Sequence, residues 1–212
     1  MLLARRLESF MLARLALCAA IFLPPLSANE GPGQAAGGQP ERGGIVGKKA
    51  PPWSVESWTN LPKDKKRLNV DDFAGKVVYL YCFQSWCPGC HSSGFPTLKK
   101  VKESFKGRKD IVFVTMQTVF EGFDSNTKER GLATLAKFGL DVPLAMSGSR
   151  TKRSTIMQSY RTRGTPWTII IGPDGKVVWN GFHIRPAQAT ALIETLVPKR
   201  VPPISGAEPS KG

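Results

Sequence analysis

The fold of this chain is decided by residues 77–90, which read VVYLYCFQSWCPGC. The first half of this stretch is continuously apolar and rich in β-branched and aromatic side chains, which predicts a strand buried on both faces of a parallel sheet. Pro88 is typical of the first turn of a helix. We expect a helix over about residues 88–106, where apolar side chains recur at helical spacing: Phe95, Leu98, Val101 and Phe105. Cys87 and Cys90 then lie where the strand meets the helix.

Strands and helices alternate through the rest of the chain. Strands are predicted at residues 53–58, 67–70, 111–116, 167–171 and 176–180, and helices at residues 126–138 and 187–197. The last two strands flank a Gly-Pro-Asp-Gly sequence at 172–175, whose composition predicts a hairpin turn. Pro96 is expected to kink the first helix, and Ser125 or Asn126 to cap the second. This alternation predicts an α/β sandwich.

Composition divides the chain into four parts. Residues 1–28 are predicted to be an export signal, residues 29–47 a flexible linker rich in Gly and Pro, residues 48–200 one folded domain, and residues 201–212 a disordered tail. A domain of this length buries about 68–70% of the surface of its unfolded chain, so it needs no disulfide framework for stability.

The N-terminal segment has the features of an export signal. Arg5, Arg6 and Arg14 make it positive, and residues 15–23 form a short apolar stretch. Leu26-Ser27-Ala28 offers a small residue at a cleavage point. The apolar stretch is too short to span a bilayer, although an uncleaved membrane anchor is the alternative interpretation. We expect an exported protein, periplasmic or otherwise extracytoplasmic, in a compartment where disulfides persist.

The chain is strongly basic, with 30 Lys and Arg against 16 Asp and Glu and a formal net charge of +14. The positive charges are scattered, which is typical of a solvated surface suited to anionic membranes or acidic partners. No nucleic-acid motif accompanies them, and the lack of an apolar run of about 20 residues excludes a polytopic membrane protein. We expect a monomer that does not bind nucleic acid.

The spacing of Cys87 and Cys90 predicts thiol chemistry. At a helix N-terminus, the helix dipole and free backbone N–H groups favour the thiolate form of Cys87, and thiolate is the attacking species in disulfide exchange. Cys90 lies one helical turn later, within reach of Cys87. We predict that Cys87 is the nucleophile and Cys90 the resolving thiol, with no metal and no cofactor besides this pair.

Two separated stretches carry a resemblance to a known family. The first reads GKVVYLYCFQSWCPGC at residues 75–90, and the second reads GTP at 164–166 followed by IIIGPDG at 169–175. Together they resemble the TlpA/ResA-type thioredoxin-like family of exported thiol–disulfide oxidoreductases. The resemblance implies a thioredoxin-like three-layer α/β/α sandwich with an N-terminal strand extension and a central insertion. It also implies protein thiols and disulfides as substrates, and a separate redox partner.

By the same resemblance, Cys87 is the exposed nucleophile and Cys90 resolves the mixed disulfide. Thr165 and Pro166 form the cis-proline loop on which substrate backbone docks, and we expect a cis peptide bond there, packed beside the Cys87 sulfur. The residues expected to bind substrate are Trp86, Pro88, Gly89, Thr165 and Pro166.

The chain departs from the family pattern at two places. Thioredoxins carry a buried Asp where Tyr81 stands here. Some reductases of the group carry a Glu shortly after the second cysteine, where this chain reads His91-Ser92-Ser93-Gly94. Since such a carboxylate would take the proton from the resolving thiol, the sequence leaves the proton acceptor for Cys90 and the direction of the reaction unassigned.

Other functions would use the same residues. Cys87, Cys90 and His91 match the attachment pattern of c-type haem, but that function expects a small helical domain rather than a motif at the end of a buried strand. A copper-binding protein of thioredoxin fold would use the two cysteines and a distant His, such as His183. A binding module without redox activity leaves the thiol pair unexplained. We predict that His91 is an exposed helix residue.

The other cysteine of the predicted domain, Cys82, has no place in this chemistry. On an extended strand it would lie about 16 Å from Cys87, five residues away at some 3.3 Å per residue, which is beyond disulfide reach. We predict a small buried apolar residue. Trp53, Trp58 and Trp179 are predicted to pack in the core or the hairpin.

Overall fold

The computed structural model describes residues 44–198, which contain a six-stranded mixed sheet. The strands are β1 Ser57–Thr59, β2 Val77–Phe83, β3 Ile111–Thr118, β4 Leu144–Ser147, β5 Trp167–Ile171 and β6 Val177–Gly181. The α-helices are α1 Phe95–Ser104, α2 Lys128–Lys137, α3 Thr155–Tyr160 and α4 Pro186–Leu196. The predicted export signal, the predicted tail and most of the predicted linker lie outside the described residues. No helix within residues 44–198 is long and apolar enough to cross a membrane.

The sheet has the strand order β1-β4-β3-β2-β5-β6, which puts β2 in its interior. β2 pairs parallel with β3 and antiparallel with β5, and β3 pairs parallel with β4. β1 and β6 are antiparallel strands at the two edges. Every residue of β2 is buried, which confirms the strand predicted from its continuous apolar run.

Each face of the sheet carries its own apolar core. On the first face, side chains of α1, α2 and α4 pack with alternate residues of β2, among them Tyr79 and Tyr81. On the second face, α3 and the segment before β2 pack with the intervening residues, among them Leu80 and Cys82. The division follows from the period of two in a strand, and it makes β2 the middle layer of three.

The structure confirms the β5–β6 hairpin and the existence of α2 and α4 close to their predicted bounds. The strand predicted at 67–70 is wrong, because Val70–Phe73 forms a 3-10 turn. Asn69 caps that turn: its side chain accepts from Val70 N–H, while its own N–H donates to the Asp72 carboxylate at 2.7 Å. Of the strand predicted at 53–58, only the end lies in β1. β4 and α3 were not predicted, since each is too short for a clear periodic pattern.

The helix predicted after the cysteine motif is divided in two. Cys90–Gly94 is a π-helical turn, in which the Phe95 N–H donates to the Cys90 carbonyl, and α1 begins only at Phe95. Pro96 therefore occupies the first turn of α1, where no intrahelical partner is needed for its missing N–H, instead of kinking a longer helix.

Candidate active site

Cys87 and Cys90 lie just beyond the carboxyl end of β2. The Cys87 N–H donates to the Gln84 carbonyl at 3.1 Å, which turns the chain away from the strand. The Cys90 N–H then donates to Cys87 Sγ at 3.3 Å. The outer sulfur thus faces a backbone donor at the start of the helical turn, which is the geometry that the sequence predicted.

The two thiols differ in exposure, although both are free. Cys87 keeps 7% of its surface and Cys90 none. Cys87 is therefore less exposed than the resemblance implied, but it is the outer thiol of the pair. Burial raises the pKa of Cys90 to about 12; a hydrogen bond with Cys87 raises it too, and the Gln84 backbone lowers it. Cys90 is accordingly protonated at neutral pH.

The loop before β5 lies against the outer sulfur. The Thr165–Pro166 peptide bond is cis, and the Thr165 carbonyl oxygen lies 3.6 Å from Cys87 Sγ. Both expectations for this dipeptide, its cis bond and its place beside Cys87, are confirmed. Gly89 permits the close approach, since a Cβ atom there would lie 3.3 Å from Pro166 Cδ.

The surface around the outer sulfur is apolar and accessible. Trp86 is 44% exposed, Pro88 is exposed, and Gly89 and Thr165 are half-buried. Pro166 itself is buried. The structure therefore brings together all of the residues that the resemblance assigned to substrate binding, four of them with accessible surface.

Gly122 and Phe182, which the sequence did not single out, complete this surface. The Trp86 indole lies against Gly122, where a Cβ atom would come within 2.7 Å of Nε1. Phe182, just after β6, is 51% exposed, and its ring meets Trp167 edge-on at 6.3 Å. A Cβ atom on Gly164 would lie 3.9 Å from the Phe182 ring, so this ring borders the loop before Pro166. The sequence signal that could have identified Phe182 was an aromatic residue directly after a buried strand.

A buried polar network holds the segment between β2 and Cys87. The Ser85 N–H donates to Asn126 Oδ1 at 2.8 Å, and its hydroxyl donates to Gln117 Oε1 at 2.6 Å. Asn126 Nδ2 donates to Gln84 Oε1 at 2.9 Å. Gln84, Gln117 and Asn126 are buried, and the hydrogen bonds from Asn126 to Gln84 and from Ser85 to Gln117 and Asn126 fix where the chain leaves β2.

The prediction that Ser125 or Asn126 caps α2 is wrong, and the network explains why. Asn126 is bonded to the motif segment, and Thr127 caps α2 by accepting from the Arg130 N–H. Polar residues at the ends of buried strands were the signal for this network, but their partners are far apart in the chain.

His91 is half-buried, so the prediction that it is exposed is wrong. Its ring lies 5.8 Å from the Phe95 ring and 5.7 Å from the Phe138 ring, and its Nε2 donates to the Ser85 carbonyl at 2.7 Å. His91 thus fastens the π turn to the chain before Cys87. His183 is exposed. Within the described part of the chain, no group of three or more His, Cys, Asp or Glu could hold a metal ion.

Cys82 lies on the second face of the sheet, in a different core from Cys87 and Cys90. It is fully buried and free, and burial raises its pKa, which confirms the predicted small core residue. Trp53 and Trp179 are buried in the two cores, also as predicted.

Comparison with known proteins gives the same fold. A family model described as Redoxin matches residues 45–193. A solved thioredoxin-like superfamily protein has a TM-score of 0.64 at 28% identity, covering 73% of this chain and 99% of that chain. A thiol-disulfide isomerase from Corynebacterium glutamicum has a TM-score of 0.60 at 26% identity, covering 71% of this chain and 98% of that chain. The predicted thioredoxin-like α/β fold is confirmed.

Two curated relatives are also similar in sequence. Thiol-disulfide oxidoreductase ResA of Bacillus subtilis (strain 168) is 27% identical over 117 residues, which cover 53% of this chain and 56% of that protein. Probable nucleoredoxin 3 of Oryza sativa subsp. japonica is 28% identical over 117 residues, which cover 55% of this chain and 23% of that protein. The matches thus span about half of ResA and about a quarter of the nucleoredoxin. The resemblance to the ResA type is confirmed.

Proposed function

We propose a function from one premise: this chain belongs to the Redoxin family, whose model matches residues 45–193. On that premise it is a thiol–disulfide oxidoreductase that acts on protein thiols and disulfides. The observation that carries the proposal is the surroundings of Cys87 Sγ, with the Cys90 N–H at 3.3 Å and the Thr165 carbonyl oxygen at 3.6 Å. Relatives whose names state thiol–disulfide chemistry support the same activity.

In the first step, the Cys87 thiolate attacks one sulfur of a substrate disulfide. A bond forms between Cys87 Sγ and that sulfur while the substrate S–S bond breaks. The other substrate sulfur leaves as a thiolate and takes a proton from water. Cys87 performs this step because it is the thiol with accessible surface, and because a backbone donor faces its sulfur.

In the second step, Cys90 resolves the mixed disulfide. Its thiol loses a proton, its sulfur attacks Cys87 Sγ, and the bond from Cys87 to the substrate breaks. The substrate sulfur leaves with the electron pair and takes up one proton in place of the one that Cys90 released. The substrate has then gained two electrons and two protons, and the cysteine pair has lost them. The same steps in reverse oxidise a substrate dithiol.

The substrate segment lies along the loop before β5 in this proposal. The backbone of Thr165, a half-buried residue, pairs with an extended segment as a short added strand beside Cys87. Trp86 and Phe182 provide the exposed apolar contacts on the surrounding surface. Pro166 has no N–H, so it presents no competing donor to the sulfur.

The proposal includes a location and partners. The protein acts after export, in the periplasm or another extracytoplasmic compartment, with residues 1–28 as the signal or as a membrane anchor. A second redox protein regenerates the cysteine pair, and no further cofactor takes part. The net charge of +14 supports contact with an anionic membrane surface or acidic partners.

The activity is tested by reduction of insulin disulfides with single-cysteine variants. Cys87→Ser is expected to abolish turnover, whereas Cys90→Ser is expected to accumulate mixed disulfides that non-reducing electrophoresis detects. Cys82→Ala is the matched control, because it removes a buried thiol from the other face and should keep full turnover. Faster alkylation of Cys90 than of Cys87 at neutral pH would reverse the assigned roles, and turnover by Cys87→Ser would refute the mechanism.

The direction of the reaction is a separate measurement. The reduction potential of the Cys87–Cys90 couple can be measured by equilibration with glutathione. A potential near that of thioredoxin, about −270 mV, identifies a reductant, and one near about −120 mV identifies an oxidant.

A further inference from the structure

Tyr81 is a buried polar residue beside the cysteines to which the two-step mechanism gives no role. Tyr81 lies on β2, on the same face as Cys87 and Cys90, and is 1% exposed. Its hydroxyl has no hydrogen-bond partner among residues 44–198. Because burying a hydroxyl without a partner is costly, its presence in the core requires an explanation.

The hydroxyl lies at the turn that carries the resolving thiol, because it contacts Gly94 at the end of the turn that Cys90 begins. Burial raises the pKa of Tyr81 well above its usual range, and Cys90 makes the next largest contribution in the same direction, with Cys87 contributing less. The phenol therefore keeps its proton at every pH at which the enzyme would work. It is a neutral O–H donor beside Cys90.

Gly94 makes the space for this hydroxyl. A Cβ atom on Gly94 would overlap the Tyr81 hydroxyl oxygen and would lie 2.7 Å from Cζ. Gly94 ends the π turn that begins at Cys90, so the same turn carries the thiol and the opening for the phenol. Single π turns of this kind recur at functional sites.

We propose that the Tyr81 hydroxyl is a catalytic hydrogen-bond donor that stabilises the Cys90 thiolate during resolution, in a space kept open by Gly94. This inference rests on the proposed thiol–disulfide exchange and deepens it. When the Cys90 thiol loses its proton, the Tyr81 O–H donates to the sulfur, and no proton leaves the phenol. As the Cys90–Cys87 bond forms, the negative charge moves to the leaving substrate sulfur, which takes up the proton.

No carboxylate is among the main groups that shift the pKa of Cys90 within residues 44–198. After burial, Cys87 raises this pKa, whereas the Gln84 backbone and Thr165 lower it, so the Tyr81 hydroxyl adds to the groups that favour the thiolate. Cys82 is affected by Cys90 but belongs to the opposite core and is itself a buried thiol. In His91, the next residue in the chain, Nε2 donates to the Ser85 carbonyl, so the unpartnered Nδ1 of the neutral ring is an acceptor and not a donor.

The sharpest test compares Tyr81→Phe with Tyr79→Phe. Tyr79 is the matched control: it is fully buried on the same strand and face, and its hydroxyl lies 3.5 Å from Thr168 Oγ1. Reduced protein reacts with Ellman's reagent in two steps, releasing one thionitrobenzoate when Cys87 attacks and a second when Cys90 resolves. Tyr81→Phe should slow the second release about tenfold and leave the first unchanged, as expected for loss of a hydrogen bond to a charged group. Tyr79→Phe should change neither.

A titration gives an independent measurement. With Cys18, Cys82 and Cys87 replaced by Ala, Cys90 is the sole thiol, and the ¹³Cβ chemical shift of Cys90 reports its ionisation. Tyr81→Phe should move the midpoint upward by about one pH unit, and Tyr79→Phe should not. Equal second-phase rates and equal midpoints in the two variants would overturn the role of Tyr81 alone. Absence of any second release from the parent protein would instead overturn the proposed function.

Discussion

Both faces of the sheet bury a thiol next to β2, but only the first face surrounds it with partners for chemistry. Cys82 is packed in the second core, and Cys90 is an equally buried thiol of the first. Burial raises the pKa of each. Within residues 44–198, Cys90 is the group besides burial that shifts the pKa of Cys82, whereas Cys87, the Gln84 backbone and Thr165 all shift the pKa of Cys90. Burial alone therefore does not make a reactive cysteine; the turn and loop beyond the strand do.

Trp53→Ala should have the largest effect: it should lower the stability of the second core and leave the chemistry on the first face unchanged. Trp53 is buried in the second core, and its Nε1 donates to the Tyr160 hydroxyl at 2.9 Å. We expect the free energy of unfolding to fall by about 3–5 kcal/mol in urea titrations, the usual cost of such a truncation. Both releases from Ellman's reagent should keep their parent rates while the variant is folded. A change in either rate would show that the second core contributes to the active site.

Alkaline pH should destabilise the reduced protein through Cys90. Its folded pKa of about 12 lies above the ordinary value of 9.0, so the stability linked to this thiol is complete below pH 9 and is lost as the pH rises towards 12. We expect Cys90 to account for about 3 kcal/mol of lost stability by pH 11. Urea titrations of the reduced parent and of Cys90→Ala at several pH values measure this loss of stability. The oxidised protein, which lacks the thiol, is the control. Parallel pH profiles for the reduced parent and Cys90→Ala would contradict it.

Pro166→Ala should weaken catalysis more than it weakens the fold. The Pro166 ring packs against the motif turn at Gly89, beside the Thr165 carbonyl that lies 3.6 Å from Cys87 Sγ. We expect insulin reduction to slow about tenfold, because a misplaced docking loop loses the orientation of the substrate. Pro173→Ala, in the turn at the far end of β5, is the matched control and should keep the parent rate. Equal rates for the two variants would exclude a role for Pro166 in docking.

Cys82→Ala should have the smallest effect. Removing this sulfur from the second core is expected to lower the free energy of unfolding by about 1 kcal/mol, which urea titration can measure. Its insulin reduction should equal that of the parent. Cys82→Ser, which buries a new hydroxyl, should be less stable than Cys82→Ala. Loss of activity in the Ala variant would mean that the two faces are coupled.

Local patterns predicted the elements that depend on a few adjacent residues. The continuous apolar run of β2 and the Gly-Pro-Asp-Gly turn before β6 are both found where the sequence placed them. β4 and α3 were missed because each is short, and α3 is capped by Ser154, whose hydroxyl accepts from the Met157 N–H. The strand expected at 67–70 failed because the capping box of Asn69 and Asp72 outweighs the β propensity of Val70.

The candidate site likewise has one part that the sequence predicts and another part that it does not. The pair Cys87 and Cys90 is readable from its spacing, and the Thr165–Pro166 loop from its resemblance to a family. The bonds of Asn126 to Ser85 and Gln84 were not readable, because they cross 41 and 42 residues of chain. Nor was the burial of His91, since it depends on rings from two different helical segments.

The sequence by itself determined a buried central strand, a thiol pair at its carboxyl end and a closing hairpin, because each follows from the identity and order of neighbouring residues. Only the tertiary structure decided that the Tyr81 hydroxyl would meet the Cys90 turn at Gly94, and that Asn126 would bond to Ser85 and Gln84. The reason is physical: a strand residue is assigned to a face by its period of two, but what it meets there depends on how separate elements pack. Separation along the chain does not encode distance across the fold.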